Sequence, residues 1–128
     1  MGERANFGMR QEDGNIIFVY GHWAGVNMLT SFAYALSSAN DRLPHDAAYA
    51  TRITISQLVG SDWSQNLGWG ITINTFADNE YPVPVYDFGT DTIAIYDYSS
   101  YTNTITEPIE ELTRKDFINK YAPQLVEA

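Results

Sequence analysis

A chain of 128 residues fits one domain around one core, and its 45 % apolar and 14 % aromatic content argues against disorder. The absence of cysteine excludes disulfides, a thiolate nucleophile and a cysteine-based zinc site. A net charge of −9, from 16 acidic and 7 scattered basic residues, excludes a nucleic-acid-binding stripe. The acidic residues stand mostly singly, so the charge reads as a solubility device rather than as mimicry of nucleic acid.

At the N-terminus, MGERANFG lacks the basic and apolar regions of a signal peptide, and Asn6 stands where a myristoylation signal needs Ser or Thr. No apolar run approaches the roughly 18 residues of a membrane span. The expectation is a soluble intracellular protein without membrane contact.

Residues 4–11 and 15–20 flank Asp13-Gly14, a dipeptide suited to a two-residue hairpin turn. That turn pairs Met9 with Phe18, Phe7 with Tyr20 and Ala5 with His22 on one face. Arg10/Ile17, Gly8/Val19 and Arg4/Trp23 share the other face. The second strand is apolar on both sides, which predicts a central position. It ends at Gly21-His22-Trp23-Ala24-Gly25. Asn27 then reads as a helix N-cap, and Leu29, Phe32, Ala33 and Leu36 form the apolar stripe of a helix.

Asp46 caps a second predicted helix over about 46–59, stopped by Gly60, although the alternation of Ile53 and Ile55 also suits a strand. Residues 61–68 read as a polar loop around Trp63, and 69–76 as a strand. A strand over 81–88 carries Pro82 and Pro84, which lack N–H donors on one side and so predict a sheet edge. A turn at 89–91 leads to a strand over 92–98. Residues 99–106 are polar. Thr113-x-x-Asp116 resembles a capping box, with Leu112 and Phe117 as its hydrophobic staple, and Pro123 ends the helix that follows. The predicted order is β-β-α-α-β-β-β-α: class α+β, a largely antiparallel five-stranded sheet with two to three helices.

MGERANF, Tyr20-Gly21-His22-Trp23-Ala24-Gly25 and Asp78-Asn79-Glu80-Tyr81-Pro82 together resemble a family of small uncharacterised proteins common in actinobacterial phages. The resemblance covers most of the chain. It implies a viral protein in the host cytoplasm or the virion, and it transfers no catalytic residue.

Motifs for phosphate loops, dinucleotides, zinc proteases and serine hydrolases are absent. His22 and His45 are the available imidazoles. No local spacing makes a metal site, though His22 with Asp78, Glu80 or Asp87 is one conceivable set. His45, beside Pro44, reads as solvated. The best candidate site is His22-Trp23 with Gly25 and Asn27, where a strand gives way to a helix N-terminus whose N–H groups suit a phosphate or carboxylate. Trp23 is suited to stack on a base with Arg4 beside it. The plainer alternative is that Trp23 seals the core under Arg4. Arg52 reads as an anion ligand or as a partner for Asp46. Tyr98 and Tyr101, in YDYSSYTNT, have the character of an adaptable binding surface or of an ordinary solvated loop.

These features lead to a small non-enzymatic phage accessory protein without a cofactor, binding a host protein or an anionic small molecule such as a signalling nucleotide. The alternatives are a minor virion or assembly protein, or a hydrolase using His22 with a carboxylate. A two-fold homodimer is expected, because helices covering one face of the sheet leave Ile17, Val19 and some tyrosines exposed on the other. The Pro-bearing edge would direct that contact to a sheet face or helix. Loops 61–68 and 99–112 folding over the open face would instead leave a monomer.

Overall fold

The computed structural model describes residues 3–76, 79–97 and 107–127. Its centre is a six-stranded mixed sheet in the order β3-β2-β1-β4-β5-β6. The strands are β1 (Ala5–Arg10), β2 (Ile16–Gly21), β3 (Trp69–Ile73), β4 (Val83–Asp87), β5 (Thr92–Tyr96) and β6 (Pro108–Thr113). All neighbours run antiparallel except β1 and β4, which are parallel. Helices α1 (Met28–Ser38), α2 (Ala47–Val59) and α3 (Arg114–Tyr121) precede a last single turn, α4 (Gln124–Glu127). The class α+β stands; the five-stranded sheet does not. Among the described residues no helix is long and apolar enough to cross a membrane.

The first hairpin has a different register from the one predicted. Met9 pairs with Ile17, Phe7 with Val19 and Ala5 with Gly21. The turn spans three residues, not two: Gly14 N–H donates to Gln11 O, Gln11 N–H donates to Asn15 O, and Gly14 takes φ +90°. This is the type I turn plus glycine bulge that also suits Asp-Gly. The shift of one residue exchanges faces. Ala5, Phe7, Met9, Ile17 and Val19 now face the helices, where Phe32, Leu36, Ile93, Ile95 and Phe117 complete the main core. Ile16 and Phe18 face the other way and join Phe76, Val83, Val85 and Tyr96 in a second, smaller cluster.

The premise of the expected dimer changes with it. Val19 is 1 % exposed and Ile17 packs against the main core. The face opposite the helices is covered at Phe18 by Phe76, whose ring meets it edge-on at 5.4 Å.

β4 is interior, not an edge. Its ladder to β1 runs only from Val85 to Asp87, with further bonds from Glu80 N–H to Arg4 O and from Phe88 N–H to Arg10 O. Pro82 and Pro84 fall in the stretch between Glu80 and Val85 that makes no ladder with β1. β5 pairs along the whole of β4's other side. β6 lies in the region read as loop, and it makes the sixth strand.

Helices α2 and α3 match their local signals. Asp46 accepts from Tyr49 N–H at the start of α2, and Thr113 accepts from Asp116 N–H at the start of α3. Residues 51–59 are helical. Asn27 precedes α1, but its side chain makes no capping bond.

Candidate functional site

The surface that stands apart is built where β2 ends and β3 begins. His22 N–H donates to Gly68 O at 2.8 Å, so the two segments are tied. The His22 ring is fixed on both sides: its Nδ1 is 2.8 Å from the Tyr20 hydroxyl, and it meets the Trp23 ring edge-on at 4.9 Å. Trp23 lies over Gly68. A Cβ at Gly68 would stand 2.6 Å from the Trp23 ring, and the residue has φ +96°, so glycine is required there twice over. Trp69 lies in the same way against Gly21, and its indole N–H donates to Asp62 at 3.1 Å.

All three tryptophans of the chain therefore gather at one corner. Trp63 reaches it from the 3-10 turn Gly60–Ser64. One cleft of about 260 Å3 lies between Trp63, Trp69, Val59 and Ile71. A second, of about 530 Å3, lies between Trp23, Asp62 and Leu67. A third, of about 350 Å3, is shared by Tyr20, His22, Trp23, Leu67 and Trp69. Their shared walls make one continuous surface. Trp23 is 64 % exposed, Trp63 56 % and Leu67 76 %. Large apolar side chains exposed as a group leave this corner open, so Trp23 does not seal the core end.

The formal charge at these clefts is negative. Among the described residues, Asp62 is the carboxylate lining these clefts, and no lysine or arginine lines them. A Glu3 carboxylate oxygen lies 3.2 Å from where a Cβ on Gly25 would begin. Both sequence readings put Arg4 with Trp23; the structure sets it against Glu80. Its guanidinium is 3.4 Å from Glu80, and its backbone N–H donates to the same carboxylate at 2.9 Å. That backbone bond, with the Arg4 charge, holds the Glu80 carboxyl below its usual range.

The other predicted residues are dispersed. Gly25, at φ +84°, donates its N–H to Glu3 O. Asn27 is exposed. Arg52 is exposed on α2 and bonds Ser56 at 3.4 Å, while Asp46 pairs with Arg42 at 3.1 Å instead. Tyr98, Tyr101 and Asp78 lie outside the described residues. Asp87 sits 3.6 Å from Arg10, and among the described residues no group of three His, Asp or Glu gathers to hold a metal. Trp69, Asp62 and Leu67 were missed from sequence. The glycines that Trp23 and Trp69 lie against, Gly68 and Gly21, were the signal available.

A second polar cluster lies at the opposite end of the sheet. Arg114 grips Asp91 with two bonds of 2.8 and 3.2 Å, and Tyr86 donates to Asp91 at 2.6 Å. Burial first, and then this bond, push the Tyr86 phenol well above its ordinary pKa. The cluster ties the β4–β5 turn to the start of α3. Comparison of the chain with protein-family models, curated proteins and solved structures finds no match.

Proposed function

We propose that the chain is a small non-enzymatic accessory protein of a phage that binds a protein partner in the host cytoplasm through the tryptophan corner. The observation that carries this reading is the gathering of Trp23, Trp63 and Trp69 on one surface, with two of the three more than half exposed. Tryptophan is the residue most enriched among those that dominate protein interfaces. Of the two partner classes, the absence of cations from the clefts and the presence of Asp62 favour a protein over an anionic small molecule.

The test is capture from host lysate on the full chain, run beside a Trp23→Ala/Trp63→Ala variant. The reading expects a partner retained by the wild type and lost from the variant. Equal retention by both, or a nucleotide that raises the melting temperature of the wild type with no protein captured, would overturn it.

A further inference from the structure

We infer that the partner supplies an extended, basic-apolar segment that adds to the outer edge of β3 as a seventh strand. This rests on the partner-binding reading and specifies how the site is used.

The backbone geometry comes first. His22 N–H bonds Gly68 O, and Asn74 N–H bonds Ile16 O. With the β2–β3 register, these bonds place the hydrogen-bonded pairs at Gly68, Gly70, Thr72 and Asn74. Trp69, Ile71 and Ile73 therefore turn their N–H and C=O groups away from β2. β3 ends the sheet, and among the described residues nothing bonds that outer backbone. Three residues at alternate positions thus offer the donors and acceptors that an extended chain requires.

The side chains make the same point. Ile71 and Ile73 share a face with Val19 and Ile17, and they are 54 % and 57 % exposed. The cleft between Trp63 and Trp69 lies beside Ile71 on that face. An added strand would turn alternate side chains into this cleft and the rest to solvent. The strand, WGITI, carries none of the charges, prolines or bulges that protect edges.

Charge selects the occupant. A second copy would bring another net charge of −9 to the contact, whereas a segment with lysine or arginine between its apolar residues meets a chain of opposite net charge.

The experiment uses the full chain and a fluorescein-labelled nine-residue peptide of alternating valine and lysine, with a valine/glutamate peptide as control. Wild type is expected to bind the valine/lysine probe at least about ten-fold more tightly than the control. Binding should protect the Ile71 and Ile73 amides from exchange. Ile71→Pro removes an outward N–H, and Ile71→Lys keeps the N–H but adds like charge; each should weaken the probe about ten-fold or more. Melting curves verify that both variants fold. Absence of probe binding, or equal binding by Ile71→Pro, overturns strand addition. A wild-type dimer abolished by Ile71→Pro also overturns it, because the edge would then take a second copy. If strand addition fails while lysate capture still depends on Trp23 and Trp63, the partner-binding reading stands without it.

Discussion

The two edges of the sheet are treated in opposite ways. β6 opens with Pro108 and carries Glu110 and Glu111 in its middle. Glu110 accepts from Lys120 at 2.6 Å and from the Tyr121 hydroxyl at 3.2 Å, so α3 is fastened to that edge. Phe117 anchors the same helix in the core with no exposed surface. Ile109 is exposed, but it sits between a proline and a carboxylate. Among the described residues β3 has no such protection, and its neighbours are the exposed Trp23 and Trp63, with Asp62 as the one carboxylate lining the clefts beside it. A chain with the means to guard one edge leaves the other bare, which is what an edge reserved for pairing requires.

Substitutions sharpen this contrast. The largest effect is expected at the guarded side: Phe117→Ala should cost about 3–5 kcal/mol in denaturant unfolding, because it opens a cavity under α3. A loss below about 1 kcal/mol would mean that α3 is not held by the core. Arg114→Met comes next, at about 2 kcal/mol, because it leaves Asp91 without its charged partner at a part-buried position.

The same network predicts an alkaline limit. The raised Tyr86 pKa means that the folded state holds the neutral phenol. Its contribution to stability is complete below the unfolded value, near pH 10, and falls as pH rises above it. Ultraviolet titration should show one tyrosine ionising only as the chain unfolds, and Tyr86→Phe should remove that step. Ionisation of every tyrosine while the fold is intact would contradict it. The smallest effect is expected at the bare edge: Ile71→Thr should shift stability by less than about 0.5 kcal/mol, since the side chain is mostly in solvent already.

What could be read from the sequence was what local chemistry determines. Asp46 and the Thr113-x-x-Asp116 box located α2 and α3 because a cap needs only residues within one turn. The hairpin register was not legible. Asp13-Gly14 suits both a two-residue and a three-residue loop, and β2 is apolar on both faces, so its pattern does not choose between them. β6 was hidden because proline and paired glutamates disfavour strands, although on a guarded edge they are the expected residues. The edge assigned to Pro82 and Pro84 failed because a short ladder to β1 tolerates two missing donors.

At the site, His22 and Trp23 were legible as a glycine-bracketed turn. Trp69 and Leu67 were not, because they meet that turn only through pairing of segments some 45 residues apart. Arg4 was misassigned by the same register shift that exchanged the faces of the hairpin.

The most direct test of the central claim is residue-resolved amide exchange in the free protein. Gly70 and Thr72 turn their N–H groups toward β2, while Ile71 and Ile73 turn theirs outward. The account predicts strong protection at Gly70 and Thr72 and near-unprotected exchange at Ile71 and Ile73. Equal, strong protection at all four in the monomer would show that the outer side of β3 is already covered, and would contradict an edge open to a partner.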